Sequence, residues 1–371
     1  MQQQIDASCE VLPAVTWYVD GEQDHPARRG PVQVDVPDVA LVSVRQATIE
    51  DVLAQFQAWM RLDVGDGAAS PQTLRAYLTD VRQHLQWVAA MSLTPAQVTE
   101  DDMREYRAFL LEDGAPGRLE HGNPQAPGRY AVSTVGRKLA SVRRFYDMAH
   151  ARGMLLENPA AGLKAPKDKT ERSERVKYLT LVALQRVLQL PNLRTEKGIR
   201  DRCILALMAM HGLRVAEVAA LDLECFDPEG GEAGTLRVVG KGNKTRTVHL
   251  VLESREEVRR WLAVRNMMRS DEPALFLSMH WAGEAQAGRM STRGIRNMVD
   301  GYLERAGAKR EGVSCHSLRH SYATHSLAAG AKLPAISKSM GHAGIQTTMV
   351  YADIVDKARE NPAKYLTGLL G

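Results

Sequence analysis

An arginine, two motif histidines and a tyrosine fall within Val313–Tyr351, in spacings that suit work on a phosphodiester. His316 and Arg319 stand three apart at the start of a helical pattern (Leu318, Tyr322, Ala323, Leu327), so both side chains leave one face near the helix N-terminus. Free N–H groups and the dipole make that end of a helix attractive to anions. A second helical run, Leu333 to Met340, stops at Gly341, with His342 in the turn that follows and Tyr351 nine residues on. Guanidinium and imidazole donors suit the non-bridging oxygens of a phosphate, and a phenol can attack its phosphorus. His316 and His320 also have the i,i+4 spacing of metal ligands. The glutamate of H-E-x-x-H is missing, however, and no carboxylate or cysteine cluster is near, so no metal is expected.

The residues His316-Ser317-Leu318-Arg319-His320, Met340-Gly341-His342 and Tyr351 resemble the H-x-x-R, G-H and nucleophilic tyrosine of the tyrosine recombinase, or phage integrase, family. Upstream, Gly212-Leu213-Arg214-Val215-Ala216-Glu217 is similar to the family's G-L-R-x-x-E, with His211 where threonine is more usual. Gly240-Lys241-Gly242-Asn243-Lys244 is similar to its hairpin lysine motif, and the six residues come in the family's order. The resemblance implies a site-specific recombinase acting on double-stranded DNA sites, with Arg214, Lys241, His316, Arg319, His342 and Tyr351 as its catalytic set. Arg214 and Arg319 would clamp the scissile phosphate and Tyr351 would attack it, leaving a 3′-phosphotyrosine. A neutral His316 would take the phenol proton, Lys241 would protonate the departing 5′ oxygen, and His342 would bond the phosphate or place the tyrosine. Glu217 would orient Arg214 or His316. The phosphotyrosine keeps the energy of the broken bond, so no cofactor is implied. Integration or excision of a mobile element, cointegrate resolution and chromosome or plasmid dimer resolution would share this chemistry. Topoisomerases of type IB, telomere resolvases and non-catalytic DNA-binding relatives are the alternatives.

Elements far apart in sequence must bring these groups together. Gly198 to Met210 reads as a buried apolar helix broken by Gly212, so Arg214 emerges from a core-anchored corner. Thr235 to Leu250 alternates as a β-hairpin around Gly240–Lys244, where the P-loop spacing is absent. Lys244 and Arg246 are expected to hold backbone phosphates. Thr180 caps a helix over Leu181–Leu190, further helices cover Glu256–Met268 and Ser291 to about Ala306, and Pro273–Leu277 is a short buried segment.

Ahead of this catalytic part, apolar stripes mark four helices: Ile49 to Met60, Leu74 to Val88, about Thr99 to Leu111, and Ser133 to Ala151. The loop Gly114–Gly128 is rich in glycine and proline. From Arg129 to Lys177 twelve bases face five acids, so DNA contact is expected from Arg137, Lys138, Arg143 and Arg144 on the fourth helix, and from Lys164 and Lys167 beyond it. The fold class is therefore mainly α with a small β-hairpin or sheet. Residues 47–157 form a helical core-type DNA-binding domain, 158–177 a basic linker, and 178–371 a mixed, mostly helical catalytic domain with a C-terminal tail. In the first 45 residues seven acids face three bases, which disfavours DNA and suggests a protein-contacting or packing role for the 1–46 extension.

At 371 residues, 44% apolar and 25% charged, the chain has material for two cores. Its 48 Lys and Arg against 44 Asp and Glu would not by themselves announce nucleic acid, so the local basic run carries that argument. No run approaches a membrane span, no signal peptide is expected, and four scattered cysteines fit a reducing cytoplasm. Apolar residues after Tyr351, such as Tyr365, Leu366 and Leu369, suit a tail helix. In the family such tails pack on a neighbouring protomer, which implies a homo-oligomer and a tetramer when two sites are joined.

Overall fold

The computed structural model describes residues 48–62, 70–112, 119–120, 123–124, 130–240, 242, 244–268, 270–279, 288–342 and 344–359. The 1–46 extension and the tail from residue 360 onward lie outside the described residues. The backbone divides into two compact units, Met1–Lys169 and Thr170–Gly371.

The first unit contains α1 (Ile49–Leu62), α2 (Pro71–Ala90), α3 (Glu100–Glu112) and α4 (Val132–Ala151), with a small ribbon of β1 (Leu119–Glu120) against β2 (Asn123–Pro124) before the last helix. The four stripes close on one core, to which Phe56, Val81, Tyr106 and Phe145 each contribute from a different helix. Ser70 fixes the start of α2 by accepting from the Thr73 N–H at 3.1 Å, with Pro71 at the first helical position. Burying each large side chain contributes about 1.5–3 kcal/mol, and helices of this length need that support because their backbone alone is marginal in water.

The stretch expected as a linker starts inside this core. Ala160 and Leu163 are buried in it, and Arg143 donates through Nε to the Ala160 carbonyl at 3.0 Å and through Nη2 to that of Leu163. Two apolar residues among glycines and prolines carry too little pattern to reveal such packing from sequence.

The second unit begins with α5 (Arg172–Arg175), α6 (Leu181–Gln189), α7 (Glu196–His211) and α8 (Val215–Ala219). An antiparallel sheet follows, β3 (Phe226–Asp227), β4 (Thr235–Val239) and β5 (Thr245–His249) in that order, with Leu236 opposite Val248 and Val238 opposite Arg246. The hairpin was expected, and the two-residue β3 is an addition too short to show a period. Then come α9 (Leu252–Met267), α10 (Thr292–Arg305), α11 (Cys315–Ala328), α12 (Leu333–Met340) and α13 (Gln346–Arg359).

Buried on every side from Cys203 to Ala209, α7 lies at the centre of the unit, with α6, α9 and α11 packed against it. It ends at Gly212 in the left-handed region, φ 63°. A Cβ there would lie 2.6 Å from Tyr322 Cδ1, so glycine is needed both for the turn and for the close approach of α11.

Candidate active site

The turn after α7 delivers Arg214 as the N-cap of the short helix α8, and Glu217 lies one turn on. Glu217 accepts from the Arg214 backbone N–H at 2.8 Å and from its Nη1 at 2.7 Å. Arg246, reaching over from β5, grips the same carboxylate with both Nη atoms, at 2.9 and 2.8 Å. Burial opposes ionisation of Glu217, but the hydrogen bonds from Arg246 and Arg214 outweigh it and hold the pKa below the usual carboxylate range. Glu217 thus orients Arg214 and Arg246. Arg246 also donates through Nε to the Ser339 carbonyl at 2.9 Å. Its fork is engaged by the protein itself, where the sequence suggested a backbone phosphate. A partner 29 positions away on another element leaves no mark in the sequence.

Arg319, on the second turn of α11, is only 5% exposed. It donates to the Gly212 carbonyl and, through Nη2, to the Met340 carbonyl at 2.7 Å. Arg214 reaches the same Met340 carbonyl at 3.3 Å and the Gly341 carbonyl at 3.4 Å. The two guanidinium groups therefore meet on one turn. Burial, and then the neighbouring Arg214, lower the Arg319 pKa to about 10, a measure of how poorly this enclosed charge is compensated.

That turn exists because α12 stops at Gly341, whose φ of 64° is left-handed, and because a side chain there would press on Arg246, whose Nη1 lies 3.0 Å from a Cβ built at Gly341. His342 follows directly, its Nδ1 2.8 Å from Thr348 Oγ1. Burial first, then Arg319, Arg214 and Arg246, push its pKa to about 4, so the ring is neutral at physiological pH.

Tyr351 lies on α13, 3% exposed, packed among Ala323, Ile336 and Met340. Its hydroxyl is 2.8 Å from Nδ1 of His320 on α11. Burial raises the phenol pKa, while Arg319 and Arg214 pull it down. His316, the imidazole expected to serve Tyr351, stands exposed at the start of α11, and its ring makes no described hydrogen bond to the phenol. The surrounding protein, then Arg296, Arg319 and Arg214, lower its pKa and favour the neutral ring. His320 is the residue that sequence reasoning passed over, although the H-x-x-R-H run contains it.

Lys241 lies outside the described residues. Lys244 is exposed directly before β5, and its carbonyl accepts from the Gly240 N–H at 2.8 Å. In the first unit Arg144 faces solvent from α4, beside Asp147 at 3.8 Å. Lys138 is buried, with Nζ 3.1 Å from Asp80 Oδ1 and 2.6 Å from Gln83 Oε1, and Arg137 pairs with the same Asp80. Arg143 is spent on carbonyls. The basic face expected on α4 is therefore narrowed at Lys138, because α2 supplies the buried carboxylate of Asp80, and at Arg143, because the Ala160 and Leu163 carbonyls take its donors; periodicity shows neither pairing. Lys164 and Lys167 remain near the end of the first unit, with the Lys164 side chain exposed.

A helical unit followed by one in which arginines converge beside a buried phenol has the layout of enzymes that break and rejoin DNA through a tyrosine. Residues 177–358 match the phage integrase family, and residues 56–153 match the phage integrase N-terminal SAM-like domain. The chain is 31% identical over 313 residues to tyrosine recombinase XerC of Myxococcus xanthus, covering 83% of this chain and 94% of that one. To XerC of Vibrio vulnificus it is 34% identical over 324 residues, covering 84% and 92%. The XerH recombinase bound to palindromic difH substrate shares the fold with a TM-score of 0.65 at 15% identity, covering 85% of this chain and 96% of that one. A lambda integrase dimer bound to a COC′ core site does so at 0.59 and 13%, covering 83% and 78%. The chain belongs to the tyrosine recombinase, or phage integrase, family. It is a site-specific recombinase, an enzyme that cuts and rejoins DNA strands.

Proposed function

We propose that the chain exchanges strands between two double-stranded DNA sites by way of a 3′-phosphotyrosine on Tyr351. The observation that carries this reading is the meeting of Arg214 and Arg319 at the Met340 carbonyl, on the turn that leads to His342 and to the helix of Tyr351. Two planar cations fixed in this way present donors to the non-bridging oxygens and stabilise the charge that grows on them as the tyrosine attacks. Enclosure makes the Arg319 donors stronger than they would be in water. Glu217 and Arg246 are positioning residues for Arg214. His316 and His342 contribute neutral imidazole donors around the phosphate, and Lys241 protonates the departing 5′ oxygen. Arg144, Lys164, Lys167 and Lys244 are the remaining candidates for backbone phosphates.

In this reading four protomers join two sites in the cytoplasm, and residues 360–371 help hold neighbours together. The acidic stretch 1–46, which a short two-domain resolving enzyme would not need, weighs towards movement of a mobile element. A second reading, resolution of chromosome or plasmid dimers, rests on the match to XerC recombinases over more than nine-tenths of their length. Footprinting the DNA that the full chain protects separates the two: a site at the ends of an element supports the first, and a single chromosomal site the second. The nucleophile itself is tested by Tyr351→Phe on a nicked duplex of the protected sequence. No covalent protein–DNA adduct should form, and an undiminished adduct would overturn the assignment.

A further inference from the structure

We propose that His320 is the base that takes the proton of Tyr351 during strand cleavage. The inference rests on the reading of Tyr351 as nucleophile and adds a residue to it. Three histidines surround the site, and their contacts divide the work. His342 has its Nδ1 engaged by Thr348 at 2.8 Å, and His316 stands exposed at the first turn of α11. His320, one turn further along α11, faces α13 and places Nδ1 2.8 Å from the phenol oxygen, with ring centroids 5.8 Å apart and planes tilted by 47°. A general base must first be within hydrogen-bond reach of the proton it removes, and His320 meets that condition.

The surroundings suit the task. Tyr351 is enclosed by Ala323, Ile336 and Met340, so water is a poor competitor for its proton. Burial, and then the charges of His316 and Arg319, keep the His320 ring neutral, with its pKa pushed down to about 4. The lone pair on Nδ1 is thus available at neutral pH in the tautomer protonated on Nε2. A phosphate seated against Arg319 brings negative charge that offsets the repulsion from that arginine, so His320 becomes more basic as the substrate docks.

The step balances. The Tyr351 O–H bond breaks as the oxygen bonds to phosphorus, and the proton passes to Nδ1, leaving His320 as an imidazolium. The P–O5′ bond breaks with its electron pair on O5′, which takes a proton from Lys241. On rejoining, the attacking 5′ hydroxyl gives its proton to Lys241, and His320 returns its own to the departing phenolate.

The probe is a nicked duplex carrying the sequence that the full chain selects from a random duplex pool, and the readout is the single-turnover rate of covalent adduct formation. His320→Asn keeps a polar atom near the Nδ1 position without a basic nitrogen. It should slow adduct formation by about 100-fold, within the range for removal of a general base, while leaving affinity for the duplex and the thermal midpoint unchanged. His320→Gln serves in its place if the Asn variant melts early. Replacing Tyr351 with a fluorinated tyrosine, whose phenol is more acidic, should recover much of the loss in the His320 variant, an effect that a purely structural role would not produce. An unchanged or faster rate in His320→Asn, or a loss that the acidic phenol fails to recover, overturns the proposal. Tyr351→Phe in the same assay keeps the two readings apart. Adduct from that variant sinks the nucleophile itself, whereas no adduct from it beside full activity of His320→Asn sinks only the role of His320.

Discussion

In the first unit Asp80, 1% exposed, receives Lys138, Arg137 and Ser141, and in the second Glu217, 3% exposed, receives Arg214 and Arg246. Each is a buried carboxylate between two bases, yet the surplus positive charge is handled differently. Around Asp80 it falls on Arg137, whose side chain is 44% exposed and solvated. Around Glu217 a third base, Arg319, is enclosed at 5% exposure and held by carbonyls alone. The first cluster fastens α2 to α4. The second keeps an unneutralised charge out of water, which in the proposed reading an incoming phosphate would offset.

Removing the enclosed surplus should have the largest effect. Arg319→Ala is expected to lower the single-turnover cleavage rate by about a thousandfold, as loss of a preorganised donor does, and it also takes a donor from the Gly212 and Met340 carbonyls. A rate within tenfold of wild type would remove the distinction between the two clusters.

The same substitution made in both places sharpens it. Glu217→Gln and Asp80→Asn each break a buried ion pair and should each cost about 3–5 kcal/mol in denaturant unfolding of the affected unit. Glu217→Gln should also slow cleavage at least about tenfold by freeing Arg214, whereas Asp80→Asn, measured per folded molecule, should leave cleavage intact. Equal kinetic losses would show that the first cluster reaches the chemistry after all.

Acid should treat the units alike. His84 in the first unit is fully buried and its pKa falls from 6.5 to about 3, and burial takes His211 in the second to about 4. Each binds its proton more readily when unfolded, so its share of stability is whole above about pH 6.5 and is lost as pH falls toward the folded value. Glu217 adds a loss at lower pH, as its depressed folded pKa is approached. Thermal midpoints recorded between pH 7 and 4 should fall, and His84→Gln should flatten the part of that slope belonging to the first unit.

The smallest effect is expected at Lys138. Lys138→Met removes one charge from a lysine buried against Asp80, so the salt dependence of DNA binding should keep its slope, whereas loss of an exposed phosphate contact would lower that slope by about one. A shallower slope would restore the open basic face on α4.

Much of this architecture is written locally. The stripes of the first four helices, the break at Gly212, the β4–β5 pair and the stop at Gly341 each follow from a period or a single residue with special backbone freedom. What stays hidden depends on packing between distant segments. Lys138 and Asp80 are 58 positions apart, and nothing in either neighbourhood pairs them. Arg246 resembles any exposed hairpin base until β5 is laid beside α8. His320 follows Arg319 and faces α13, which only the packing of α11 against that helix reveals. Motif spacing therefore picked out Arg214, Arg319, His342 and Tyr351, which the fold brings together, and said little of the partners that hold them.

Main-chain oxygens of Gly212, Ser339, Met340 and Gly341 anchor the three arginines of the site. A carbonyl is the same whatever side chain its residue bears. The end of α12 should therefore accept many changes of identity at Ser339 and Met340, subject to their own packing, and hardly any change of length. Inserting or deleting one residue there would shift every anchor at once, so drift in this region is expected to alter its letters while conserving its count.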